Sequence, residues 1–203
     1  MRITKGTGVS VLASTNKQIV SEVFRPMDPK NIQVGIELSA VAQSNAITFK
    51  LLESYNGSEF FEVGDQSEAT LTSMSLASAS DIANASDTFT ETSHGRETGA
   101  PVIFEAGTAA PTGLTDGAKY YVINVTANTF KLAASYLEAV RGVPVSISDD
   151  GTGTQIFWDA LYHIRMVESD ATDAAQLPTL EYCVVAADAG ASDTATVSNV
   201  YAS

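Results

Sequence analysis

Ile32-Gln33-Val34-Gly35-Ile36-Glu37-Leu38 alternates apolar and non-apolar positions without a slip. A strand repeats every two residues, so this order places Ile32, Val34, Ile36 and Leu38 on one face and leaves the other to solvent. A helix, repeating every 3.6 residues, would scatter the same four side chains around its circumference. Ile47-Thr48-Phe49-Lys50-Leu51 repeats the alternation. Asn56-Gly57 then separates it from Phe60-Phe61-Glu62-Val63, and Asn-Gly suits the positive φ angles of a tight hairpin turn. Further strands are predicted at 9–12, 18–24 and 69–73.

The character changes at 73–86, where Ser and Ala dominate and no period is visible; this stretch reads as a connector with room for a short helix. A second run of strands is predicted at 88–92, 101–105, 120–125, 129–132 and 143–147. Tyr120-Tyr121-Val122-Ile123-Asn124-Val125 and Thr129-Phe130-Lys131-Leu132 flank Thr126-Ala127-Asn128. That predicts a three-residue hairpin connection with Asn128 in the left-handed position. Residues 134–140 suit one or two helical turns stopped by Gly142. Asp149-Asp150-Gly151-Thr152-Gly153-Thr154 reads as a loop, with a strand beginning at Gln155. Tyr162, Ile164 and Met166 alternate with His163, Arg165 and Val167, Tyr182 and Val184 with Cys183 and Val185, and 194–201 suits a closing strand. Many short strands punctuated by turns define an all-β chain.

The 203 residues are 44% hydrophobic and 17% charged, too apolar for disorder, and the low charge suggests a surface partly covered by a partner. Acidic residues outnumber basic ones 24 to 11, a formal charge of −13. Phosphate binding needs clustered Lys and Arg, and anionic lipid repels such a surface, so nucleic acid and membrane are excluded as partners. The acid confers solubility or docks on a basic surface. The single Cys183 sits in a strand-like run and forms no internal disulfide, which implies folding in a reducing compartment. No signal peptide follows Met1 and no run approaches a membrane span, so synthesis in the cytoplasm is expected.

Six ordered blocks have a familiar arrangement. They are Asp87-Thr88-Phe89-Thr90-Glu91-Thr92-Ser93-His94-Gly95, Thr98-Gly99-Ala100-Pro101-Val102, Ala110-Pro111-Thr112-Gly113-Leu114, Tyr120-Tyr121-Val122-Ile123, Asn128-Thr129-Phe130-Lys131-Leu132-Ala133 and Asp150-Gly151-Thr152-Gly153-Thr154. In order and spacing, 87–157 resembles a small β module that recurs in bacteriophage tail, fibre and capsid-associated proteins. The stretch from Ile47 to Ser58 looks like phage sandwich domains with an F-x-x-x-x-S-x-x-G hairpin, and Tyr162-His163-Ile164-Arg165-Met166 resembles their closing portion. The resemblance implies a β-sandwich host domain, 1–72 plus 158–203, with 73–86 as connector. A small, barrel-like module at 87–157 would be inserted into it, as loop tips tolerate. Three serial pieces are the alternative.

Chemistry is sparse. His94, in Ser93-His94-Gly95, has no metal-ligand neighbours at suitable spacing and reads as a turn residue; His163 sits on an alternating strand. Asp149-Asp150-Gly151 and Asp170-Ala171-Thr172-Asp173 lack the spaced carboxylates of a calcium loop. No catalytic, cofactor-binding or metal-binding residue is expected, and the chain is not expected to be an enzyme. The resemblance implies a virion location. The leading expectation is a capsid decoration or cement protein that binds the major capsid protein or other virion subunits as a homo-oligomer, a trimer among the candidate states. A host-surface glycan adhesin is the alternative, with Tyr120, Tyr121, Asp149 and Asp150 as surface contacts; a minor tail or head–tail component is a third.

Overall fold

The computed structural model describes residues 2–3, 9–11, 14–19, 21, 23, 31–42, 47–54, 58, 60–62, 69–167, 182–189 and 194–202. The first strands are β1 (Arg2–Ile3), β2 (Val9–Val11), β3 (Ser14–Ile19), β4 (Asn31–Ala42), β5 (Ile47–Ser54), β6 (Phe61–Glu62) and β7 (Ala69–Thr70). Next come β8 (Ser73–Ala77), helix α1 (Ser78–Asp81), β9 (Ile82–Ala83) and a 3-10 turn at Asn84–Ser86. β10 (Thr88–Thr90), β11 (Pro101–Glu105), β12 (Lys119–Thr126), β13 (Thr129–Ala133) and helix α2 (Tyr136–Arg141) follow. The chain ends with β14 (Thr154–Asp159), β15 (Leu161–Val167), β16 (Tyr182–Ala189) and β17 (Thr194–Ala202). The fold is all-β.

Two compact units are present. The first, Met1–Leu38, Ala42–Leu71 and Tyr162–Ser203, carries two sheets. One runs β1-β17-β4-β15 with β2 also on β17; the other runs β3-β16-β5-β6 with β7 on β5. The alternation at 32–38 does what its period dictates: Ile32, Val34, Ile36 and Leu38 are buried and Gln33 is exposed. On β5, Ile47, Phe49 and Leu51 are buried, while on β15 Tyr162 and Ile164 are buried and His163 is exposed. Phe49 and Tyr162, from different sheets, bring their rings to 6.3 Å. On the opposite face of β4, Glu37 ties down β17. Its Oε2 accepts from Asn199 Nδ2 at 2.8 Å and from the Tyr201 hydroxyl at 3.1 Å.

The second unit, Ser39–Val41 and Thr72–Leu161, contains one seven-stranded sheet in the order β8-β14-β11-β12-β13-β10-β9. β10 and β14 are four places apart, and a flat sheet would separate them by roughly 19 Å. Instead the Phe89 and Phe157 rings meet edge-on at 5.4 Å, and Phe130 stacks on Phe89 at 5.4 Å. The sheet is therefore rolled around its own core. That core includes Met74, Leu76, Ile82, Phe89, Phe104, Val122, Phe130, Leu132 and Phe157. Aromatic pairs of this kind add roughly 0.5–1.5 kcal/mol each beyond their buried area.

Several sequence expectations are corrected here. The connector at 73–86 is instead part of the rolled sheet: β8 pairs with β14 and β9 with β10, forming both of its edges, joined to each other through α1. Met74, Leu76 and Ile82 face the core there; the runs were too short, and too rich in Ser and Ala, to show a period. The 87–157 boundaries accordingly fall inside this unit, and Trp158, assigned to the host domain, lies on β14. The strand expected at 143–147 does not form. Val145 N–H instead donates to the Leu132 carbonyl, and Ile147 N–H to Asp87 Oδ1 at 2.8 Å. The β12–β13 turn has two residues, not three, and Asn128 is not left-handed. A bulge between Asn124 and Thr126 supplies the twist instead. The Asn56-Gly57 hairpin and Asp170–Asp173 lie outside the described residues, as does the Cys183 side chain.

Candidate docking surface

α2 begins and ends on strong local signals. The Ser135 Oγ caps the helix by accepting the Glu138 N–H at 3.2 Å, and it donates to Glu138 Oε2 at 2.9 Å. Gly142, at φ 70°, closes the other end: its N–H donates to the Ala139 carbonyl, and the Val143 N–H donates to that of Glu138. Packing on β12 and β13 needs little from so short a helix, and Ala139 is its buried residue. Tyr136, Leu137 and Val140, with Val143 just beyond, are exposed at 60, 54, 56 and 50%. Each could bury about half its surface in a partner, on the order of 1 kcal/mol apiece.

This apolar face is not loose. A Cβ on Gly99, itself at φ 95°, would lie 2.6 Å from the Tyr136 ring, so only glycine lets the ring settle there. Tyr121 meets the same ring edge-on, with centroids 6.4 Å apart. A ring held on two sides while its remaining surface faces solvent loses little entropy on binding, a property of interface anchors.

The four residues picked out from sequence are not brought together as one surface. Tyr120 is buried, its hydroxyl accepting the Thr115 N–H at 2.8 Å, so it serves the core rather than a contact. Tyr121 is half-buried and supports Tyr136. Asp149 Oδ1 accepts from the backbone of Gly151 at 2.9 Å and of Thr112 at 3.2 Å. The Thr112 hydroxyl foremost, then these N–H groups, hold the Asp149 carboxyl below its usual range. Asp150 Oδ1 accepts the Asn84 N–H at 3.1 Å. Both carboxylates organise loops.

Four further polar side chains of this unit, His94, Arg96, Asp159 and Gln155, are committed to internal bonds. His94 is buried against Phe130, ring centroids 5.3 Å apart. Arg96 N–H donates to its Nδ1 at 3.1 Å, so the proton sits on Nε2, which donates to the Thr126 carbonyl at 3.0 Å. Arg96 Nε then pairs with Asp159 at 2.7 Å, and Asp159 also accepts the Thr72 hydroxyl. Gln155 is fully buried: Oε1 accepts the Gly107 N–H, and Nε2 donates towards the carbonyls of Ala109, Thr152 and Gly153. Among the described residues no cluster of three or more His, Cys, Asp or Glu could hold a metal ion, and no helix is long and apolar enough to cross a membrane.

Set against protein-family models, curated proteins and solved structures, the chain matches none of them. Sequence reading placed the α2 helix but missed its outer face. The usable signal was Tyr136-Leu137 and Val140 on a segment with only one small residue, Ala139, for the sheet.

Proposed function

We propose that this chain is a non-enzymatic structural component of a bacteriophage particle, a capsid decoration or cement protein that binds the assembled shell. The observation that carries a docking role is the exposed apolar face of α2, with its Tyr136 ring held between Gly99 and Tyr121. The phage setting rests on the resemblance of 87–157. The mechanism is additive: modest contacts, repeated over a symmetric lattice, stabilise the assembled shell by binding it in preference to its free subunits. Virions depleted of the protein should lose resistance to heat and osmotic shock, and labelled copies should number in the hundreds on the shell. Undiminished resistance, or a handful of copies at the tail, would sink this reading. The Tyr121–Tyr136 pair favours a second reading, a host-glycan adhesin, because exposed aromatic rings also stack on sugars; a glycan array distinguishes the two.

A further inference from the structure

We infer that the α2 face is a self-association surface, on which a second copy of this chain packs its own α2 antiparallel across a two-fold axis. The inference rests on the docking reading above and names its first occupant. At about 100° per residue, Tyr136, Val140 and Leu137 fall within one arc of the helix, and Arg141 and Glu138 follow on the same flank. Glu138 is in the first turn and Arg141 in the last. In an antiparallel pair related by a two-fold axis, a flank meets its own copy with the order reversed. Each Glu138 is thereby brought towards the partner's Arg141, and the two helix dipoles oppose favourably. A parallel two-fold pair would place this flank beside the partner's opposite flank, so Glu138 and Arg141 would not meet across it. The flank is thus complementary to itself.

The contact is small. Four half-exposed side chains fall short of the roughly 800 Å² per partner that a standard interface buries. The formal charge of −13 adds repulsion between copies, screened beyond about 8 Å at physiological salt. The association is therefore weak in dilute solution and is reinforced wherever copies are held side by side.

The test is sedimentation of the full chain at physiological ionic strength over a concentration series reaching about 1 mM. A monomer–dimer equilibrium is expected. Val140→Asp should weaken it at least about tenfold, and Arg141→Glu should weaken it by setting two carboxylates together, with circular dichroism unchanged in both. Val140→Cys should form a disulfide-linked dimer under mild oxidation that the unaltered chain does not. A monomer throughout the series overturns the inference, as does a dimer indifferent to Val140→Asp in a folded variant. A chain that dimerises through α2 but is absent from particles keeps this contact and loses the proposed function; a shell-bound chain that stays monomeric does the reverse.

Discussion

Gln155 shows how one buried polar side chain sets the geometry of two loops. Its neighbours Gly151 and Gly153 both have positive φ, and a Cβ on either would lie 2.6 Å from the backbone of the facing loop, at Ala109 and Thr108. The backbones therefore approach closely enough for one amide to reach both loops. In Gln155→Leu the carbonyls of Ala109 and Thr152 keep other donors, but the Gly107 N–H loses the acceptor provided by Gln155. A lost partner of this kind costs roughly 1–3 kcal/mol, read as a lower urea midpoint with an unchanged slope. Asp149 offers a second check. Its folded pKa is depressed, so its contribution is complete above the unfolded value, about 3.9, and is lost as pH falls through the folded one. In an NMR titration the Thr112 and Gly151 amides should shift below that ordinary midpoint. Movement centred on it would contradict the assignment.

At the scale of elements, β8 and β9 decide whether the rolled unit can stand alone. They cover the free edges of β14 and β10 and bring Met74, Leu76 and Ile82 into the aromatic core. A fragment of 72–161 should unfold cooperatively and give a dispersed amide spectrum. A fragment of 87–157 bares two strand edges, exposes Phe89 and Phe157 on the side these strands would cover, and should be molten or aggregated. Equal stability of the two fragments would show that the edge strands are dispensable. α2 is equally dependent on local chemistry: Ser135→Ala removes the cap at a cost of about 1 kcal/mol. Fraying of the helix should then appear as faster amide exchange at 136–141, with the sheet unchanged.

The chain combines a formal charge of −13 with the exposed apolar face of α2. Long-range electrostatics keep free copies apart and favour a partner with basic character, so the proposed attachment to shells should weaken as salt rises. Binding measured by co-sedimentation with stripped particles at rising ionic strength would check this. Retention that strengthens steadily with salt would point to apolar contacts alone.

The sequence by itself determined that the chain is all-β and where most strands run, because period-2 alternation is local and burying one face of a sheet forces it. It likewise determined α2 and its Gly142 stop, since caps act within a single turn. Tertiary structure alone decided that 73–86 forms sheet edges, since strands of two and five residues take their identity from the partners that pair with them. It decided too that Tyr120 is core while Tyr136 is exposed. Both are aromatic residues in ordered elements, and only the rolled sheet, with Gly99 beside Tyr136, determines which ring it encloses. The α2 face was legible only as a hint in Tyr136-Leu137 and Val140 beside the small Ala139, for the same reason: exposure belongs to the space around a side chain, and the sequence carries only its chemistry.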